Sequence, residues 1–141
     1  MEAKKQTLLA ESPTTPTDEL LDGANEAQRE AITHGTGPLL VVAGAGTGKT
    51  SVLTRRIAWL IREGLAQPNE ILALTFTEKA AGEMETRVDQ LLPYGATGTV
   101  IATYHSFGDQ LLRTHALDLG LPPEFRVLGG DEQRLFLEER I

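Results

Sequence analysis

The chain has 141 residues, of which 40% are hydrophobic and 23% charged, with a net charge of −7 and no cysteine. This composition is ordinary for a soluble globular domain and excludes disulfides and cysteine-ligated zinc. No apolar run approaches the roughly 18 residues of a membrane span, and no secretory signal is visible. Residues 35–117 carry seven acidic and seven basic side chains, so a nucleic-acid contact there would be a local groove. We expect a cytoplasmic protein with no membrane partner.

The N-terminal segment is rich in serine, threonine and proline, and residues 1–18 hold few large apolar side chains. We therefore expect these residues to form a disordered leader. Asn25 is suited to cap a helix that runs to about His34, with Ile32 on its apolar side. Glycine and proline at residues 35–38 end that helix.

A run of apolar residues from Leu39 to Ala43 predicts a first buried strand. It leads into a glycine-rich turn, Ala43 to Thr50, and then into a helical pattern. This order is the context of a phosphate-binding P-loop, whose backbone N–H groups and helix N-terminus attract an anion. Lys49 is then expected to reach the terminal phosphates and Thr50 to bind Mg²⁺. Ala43 departs from the usual initial glycine, and the alternative is a glycine-rich turn that binds nothing.

Two further strand–helix units predict an α/β fold with a parallel sheet. Residues 70–76 and 99–103 are predicted as strands, because each run is mostly apolar or β-branched. Strands that alternate with helices imply parallel crossovers. In such a sheet, ligands bind at the carboxyl ends of the strands, where the P-loop also lies.

The helices after these strands have recognisable starts. Thr77 is suited to cap one helix, and the next begins at about His105, with Phe107, Leu111 and Leu112 facing inward. Asp131 is suited to cap a last helix.

Side chains suited to ligand binding lie at the ends of the second and third predicted strands and in the residues just after them. They are Thr75, Phe76, Thr77, Lys79, Thr103, Tyr104, His105 and Ser106. Hydroxyl groups can bind phosphates, and aromatic rings can stack on bases, so this edge is a candidate surface for single-stranded nucleic acid. The same residue types also occur as helix caps and buried aromatic side chains. The pattern alone leaves both interpretations open.

Four motifs occur in an order and with gaps typical of one protein family. They are Asn25 to Ile32, Ala43 to Thr50, Thr75 to Met84, and Thr103 to Phe107. On these motifs, the chain resembles the start of the UvrD/Rep/PcrA helicases of superfamily 1. The resemblance implies a RecA-like P-loop NTPase fold, a parallel sheet with flanking helices, incomplete because the chain is truncated. Residues 19–118 would be the N-terminal part of the ATP-binding motor domain, and residues 119–141 the start of a helical insertion subdomain.

The resemblance also implies a site for ATP and Mg²⁺. Gln28 matches a glutamine that reads adenine, since a side-chain amide both donates and accepts hydrogen bonds. The other implied cofactor-binding residues are Ala43, Gly44, Ala45, Gly46, Thr47, Gly48, Lys49, Thr50 and Ser51. Lys49 and Thr50 would be catalytic, and Thr50 would bind the metal. The eight residues at the ends of the second and third strands match motifs that contact single-stranded DNA.

Some positions depart from the family pattern. Glu78 stands where asparagine is usual and adds a negative charge beside the presumed DNA strand, so we expect it to change DNA contacts more than ATP binding. Tyr104 replaces phenylalanine but keeps a ring for stacking. Ser51 stands where many members have arginine, and Ala24 where leucine is frequent.

A P-loop motor also needs a buried strand that ends in Asp-Glu, to hold Mg²⁺ and position water. The sequence has no such run, because Asp131-Glu132 follows two glycines and is interpreted as a helix start. We expect an N-terminal fragment without turnover, from an ATP-dependent, 3′ to 5′ DNA helicase. Its partners would be single-stranded and duplex DNA and the remaining helicase domains. The alternatives are an isolated nucleotide-binding module and the front end of a recombination helicase-nuclease.

Overall fold

The computed structural model describes residues 16–92, 96–122 and 124–139. These residues form α1 (Pro16–Leu21), α2 (Glu26–Thr33), α3 (Lys49–Arg62), β1 (Leu72–Thr75), α4 (Glu78–Leu91), β2 (Val100–Thr103), α5 (Tyr104–Thr114) and α6 (Gly130–Glu138), with a short 3-10 helix at Pro68–Glu70. No helix in the described ranges is both long and apolar enough to cross a membrane. The predicted leader lies outside these ranges except for residues 16–18, which begin α1.

Local sequence signals set the starts of several helices. The Asn25 side chain accepts a hydrogen bond from the backbone N–H of Gln28 at 2.9 Å, and the Gln28 side chain accepts one from the backbone N–H of Asn25 at 3.0 Å. This reciprocal capping box satisfies two backbone donors at the start of α2. Thr77 accepts from the backbone N–H of Ala80 at 3.1 Å at the start of α4. Both predicted caps are confirmed.

The predicted cap of the last helix is wrong by two residues. Gly129 occupies the cap position of α6, and Asp131 lies in the first turn. The Glu132 side chain reaches back to accept from the backbone N–H of Gly129 at 3.2 Å. An acidic side chain within the first turn therefore replaces the predicted capping by Asp131.

Strands β1 and β2 pair in parallel, so the α/β class and the parallel arrangement are confirmed. Both strands lie within the predicted runs. Their register aligns Leu72 with Val100 and Thr75 with Thr103. The carboxyl ends of the two strands are therefore level, and the residues after them begin at the same edge of the sheet.

The first predicted strand is wrong. The segment from Leu39 to Ala43 has no strand structure, and Leu40 and Val42 are 85% and 88% exposed. A strand is defined by hydrogen bonds to a neighbouring strand, and the sheet in the described part of the chain consists of β1 and β2. The apolar run therefore has the composition of a buried strand, but among the described residues it has no hydrogen-bonded neighbouring strand.

The core lies where α3 and α4 pack together beside β1. It includes Ile57, Ala58, Ala73, Met84 and Val88. The apolar sides of the two long helices therefore fix the direction of α3, which starts at the P-loop.

Helix α5 contributes less to the core than the sequence predicts. Leu111 and Leu112 are substantially exposed, so the prediction that they face inward is wrong. Among the described elements, α5 packs mainly against β2, the strand that directly precedes it.

Candidate nucleotide site and strand-end surface

The glycine-rich turn has the backbone of an anion-binding loop. Gly46 and Gly48 have φ angles of 76° and 81°, in a region that glycine adopts without the steric cost borne by other residues. Gly48 is the cap residue of α3, so Lys49 is the first residue of that helix. The Thr47 hydroxyl donates to the carbonyl of Gly44 at 2.8 Å and closes the turn. The loop and helix predicted from the sequence are therefore present, although the strand before them is not.

Lys49 lies across the start of this loop. Its ammonium group donates to the carbonyls of Ala43 at 3.1 Å and Gly44 at 2.5 Å. Thr50 follows in the first turn of α3 and is exposed. Its hydroxyl oxygen is the kind of donor that Mg²⁺ prefers, and Mg²⁺ usually binds together with substrate phosphates. The positive end of the helix dipole favours those phosphates, not the metal itself. The residues present thus fit a magnesium–nucleotide pair.

Gln28 joins α2 to the loop. Its side-chain nitrogen donates to the carbonyl of Thr47 at 3.1 Å, while its side-chain oxygen caps α2. A side-chain amide has two hydrogens and two lone pairs. One hydrogen and one lone pair of Gln28 therefore remain for another partner, as adenine recognition requires. A methyl group added at Gly48 would lie 3.3 Å from the Gln28 side-chain nitrogen, so the two residues fit closely.

A cavity of about 360 Å³ lies between α2 and the loop. Its walls come from both elements and from the first turns of α3: Asn25, Ala27, Gln28, Ala31, Val41, Val42, Ala43, Gly44, Thr47, Lys49 and Val52. Small-molecule sites typically have about 300–1,000 Å³ and apolar walls with a few polar groups. The Gln28 amide and the Lys49 ammonium are such groups, and both border this cavity.

Two arginines of α3 hold the α2 region in place. The Arg56 guanidinium donates to carbonyls at the end of α2 and just after it: Ala31, Ile32, His34 and Gly35. Arg55 donates to the carbonyl of Asp22 at 2.7 Å. Partial burial lowers the pKa of Arg56. The last carbonyls of a helix lack partners within it, so Arg56 both satisfies them and fixes α2 beside the P-loop helix.

Sequence reasoning missed this arginine clamp. The signal was a basic pair within an otherwise amphipathic helix, at Arg55 and Arg56. Such a pair is typical of a solvated helix face, and its partners become visible only once α2 is known to pack on α3.

The residues at the carboxyl ends of β1 and β2, from Thr75 to Lys79 and from Thr103 to Ser106, form what we call the strand-end surface. This surface carries two exposed aromatic rings. Phe76 and Tyr104 each follow a paired residue, Thr75 and Thr103, and are 86% and 64% exposed. Because neighbouring strands are about 5 Å apart, the two rings start from adjacent positions on the sheet edge. The alternative interpretation, buried aromatic side chains, is wrong for both residues.

The remaining predicted strand-end residues divide into exposed and internal groups. Thr77, Lys79, His105 and Ser106 are exposed. Thr103 is only 4% exposed, and its hydroxyl lies 2.7 Å from that of Ser106 within the capping box of α5. The Thr103 hydroxyl is therefore buried and already hydrogen-bonded, so its role in DNA binding stays a prediction. Thr75 is half-buried.

Within the described ranges, no hydrogen bond joins the P-loop to these strand ends. The cavity beside the loop and the exposed rings lie on different parts of the described fold, with α3 and α4 packed together between them.

Comparison with known proteins shows which family this chain is similar to. A family model for the UvrD/REP helicase N-terminal domain matches residues 24–141. The chain is 44% identical over 122 residues to DNA helicase II of Escherichia coli (strain K12), covering 86% of this chain and 17% of that protein.

Two further relatives are similar to the same extent. DNA helicase II of Haemophilus influenzae is 49% identical over 119 residues, covering 82% of this chain and 16% of that protein. ATP-dependent DNA helicase UvrD1 of Mycobacterium tuberculosis (strain ATCC 25618 / H37Rv) is 46% identical over 125 residues, covering 88% and 16%. The chain spans about a sixth of the length of these relatives.

Proposed function

We propose that this chain is the ATP-binding part of the motor of an ATP-dependent DNA helicase. The chain belongs to the UvrD/REP helicase N-terminal domain family. The observation that carries the proposal is the convergence of Gln28, the P-loop and Lys49 on one cavity of nucleotide size. The names of its relatives, DNA helicase II and ATP-dependent DNA helicase UvrD1, support the same activity. The longer protein would translocate 3′ to 5′ and unwind duplex DNA, on a completed RecA-like sheet.

The nucleotide would bind by exchanging internal hydrogen bonds for bonds to phosphate. The Lys49 ammonium would leave the carbonyls of Ala43 and Gly44 and donate to phosphate oxygens, which accept more strongly because they are charged. The backbone N–H groups at the start of α3 would bind the same phosphates. Thr50 would hold Mg²⁺, which neutralises phosphate charge when bound.

The base would lie in the apolar part of the cavity, against α2. There the free hydrogen and the free lone pair of Gln28 match the adenine edge, which offers both an acceptor and a donor. Because Gln28 also holds Thr47, base recognition and loop conformation would depend on the same side chain.

These 141 residues are expected to bind ATP without hydrolysing it. Phosphoryl transfer needs a carboxylate that holds Mg²⁺ and a group that positions water. The Asp131-Glu132 pair begins α6 and has a different role, since Glu132 caps the helix. Turnover would therefore require further residues of the longer protein.

The second ligand would be single-stranded DNA at the strand-end surface. Phe76 and Tyr104 offer two adjacent exposed rings on which bases could stack, and Lys79 offers a positive charge. The surface is small and local, in agreement with the neutral charge balance of residues 35–117.

The proposal is tested by titrating the chain with a fluorescent ATP analogue and Mg²⁺. Lys49→Ala should weaken binding at least about tenfold, because a charged hydrogen bond to phosphate contributes roughly 1.5–3 kcal/mol. Arg87→Ala on α4 removes the same charge away from the cavity and serves as the control. Equal affinity of the Lys49→Ala variant and the control would refute the site.

A further inference from the structure

One side chain connects the two strand ends that carry the exposed rings. Glu78 is the first residue of α4, and Thr103 caps α5. The Thr103 hydroxyl donates to a carboxylate oxygen of Glu78 at 2.7 Å, across 25 positions of sequence. The sequence suggested only a negative charge beside DNA at Glu78, whereas the structure gives that carboxylate an internal partner.

The carboxylate sets the direction of the hydrogen bonds around it. An ionised carboxylate only accepts, so the Thr103 hydrogen points to Glu78. The Thr103 oxygen is then left to accept from the backbone N–H of Ser106 at 3.1 Å and from its hydroxyl at 2.7 Å. The Ser106 oxygen in turn accepts from the backbone N–H of Thr103 at 3.0 Å. Glu78 thus completes a network that includes the cap of α5.

The positions of the rings depend on this network. Phe76 precedes Glu78 by two residues, and Tyr104 follows Thr103 directly. Beyond the last paired residues, Thr75 and Thr103, the sheet no longer fixes the distance between the two chains. The Glu78–Thr103 bond joins the first residue of α4 to this last paired residue, which also caps α5, and so holds the starts of the two helices together.

We propose that Glu78 is a positioning residue for DNA binding, which fixes the separation of the Phe76 and Tyr104 rings without contacting the strand. The inference rests on the proposed function of this surface in single-stranded DNA binding. Two adjacent bases can stack on two rings at once only while the rings keep a compatible spacing.

Whether substitution of Glu78 weakens or strengthens DNA binding distinguishes a positioning role from simple charge repulsion. If Glu78 acted only by repelling phosphate, every neutral substitution would strengthen DNA binding. A positioning role predicts instead that Glu78→Ala weakens binding although a negative charge is removed. Glu78→Gln keeps the length and an oxygen acceptor for Thr103, so it should bind at least as tightly as the original chain.

The experiment measures fluorescence anisotropy of a labelled oligo(dT) of about ten nucleotides, a length suited to one binding surface. We expect Glu78→Ala to weaken binding by about fivefold, as for the partial loss of one stacked base. Glu78→Asp keeps the charge but is one methylene shorter, and should also weaken binding. Glu85→Ala, two turns further along α4, removes the same charge as a control and should not weaken it.

Binding of the ATP analogue by the same variants shows whether an effect is local. Weaker oligo(dT) binding by Glu78→Ala and Glu78→Asp, with unchanged nucleotide binding, would support the inference. Equal or tighter oligo(dT) binding by Glu78→Ala than by Glu78→Gln, or a parallel loss of nucleotide binding, would overturn it alone. Failure of the original chain to bind oligo(dT) would overturn the proposed DNA surface and the inference with it.

Discussion

Replacement of Gln28 by alanine tests whether one side chain both supports the P-loop and reads the base. The substitution removes the bond to the Thr47 carbonyl and the bond that caps α2 at Asn25. A neutral hydrogen bond contributes about 0.5–1.5 kcal/mol. Because Gln28 is only half-buried, we take about 0.5–0.75 kcal/mol for each of the two bonds. We therefore expect the free energy of unfolding to fall by about 1–1.5 kcal/mol.

The effect on ligands should be larger for ATP than for GTP. Loss of loop support weakens the binding of both nucleotides, since both use the same phosphates. Loss of the free donor and acceptor of Gln28 weakens only the recognition of adenine. We expect ATP affinity to fall about tenfold, and the preference for ATP over GTP to fall towards unity.

Calorimetric titration with each nucleotide measures the ATP affinity and the preference for ATP over GTP, and urea unfolding measures the free energy of unfolding. Gln90→Ala, an exposed glutamine on α4, should change none of them. An unchanged ratio of ATP to GTP affinity in the Gln28→Ala variant would refute adenine recognition. An unchanged free energy of unfolding would refute the structural part of the argument.

Arg56→Ala should lower the free energy of unfolding by about 1.5–3 kcal/mol in urea titrations, because a charged donor to the α2 carbonyls is lost. Gly48→Ala should lower nucleotide affinity at least about tenfold, since alanine is strained at a φ of 81° and its methyl group would crowd Gln28. Phe76→Ala should weaken oligo(dT) binding in anisotropy titrations by about 1–3 kcal/mol.

Each of these predictions has a matched control and a contrary result. Arg87→Ala should cost less than about 0.5 kcal/mol, and a similar cost for Arg56→Ala would refute the clamp. Gly82 lies in the interior of α4 with open space around it, so Gly82→Ala should leave nucleotide affinity unchanged. An unchanged nucleotide affinity of the Gly48→Ala variant would show that the loop conformation does not matter for binding. Phe76→Tyr should keep the stacking ring, and equal affinity of the alanine variant would exclude stacking on Phe76.

The features that the sequence predicts well are those that depend on neighbours along the chain. Asn25 and Thr77 cap helices because their side chains reach a backbone N–H three residues away. The turn at Gly46 and Gly48 requires positive φ angles that glycine supplies by itself. Such features need no knowledge of the rest of the fold.

The features that the sequence does not predict depend on distant partners. The run from Leu39 to Ala43 has strand composition, but a strand also needs a neighbour, which local sequence cannot supply. Thr103 has the residue type of a DNA contact, yet packing places it inside, where it binds Glu78 across 25 positions. Arg56 looks like an exposed helix residue until α2 provides its acceptors.

The central claim is the proposal that this chain supplies the ATP-binding part of the active site of an ATP-driven DNA motor. The most direct test is single-stranded DNA-stimulated ATP hydrolysis by a longer protein that contains these residues, with and without Lys49→Ala. We expect stimulated hydrolysis that the substitution abolishes, and no turnover above background from the 141 residues alone. Hydrolysis that Lys49→Ala leaves unchanged, or turnover by the 141 residues themselves, would contradict the account.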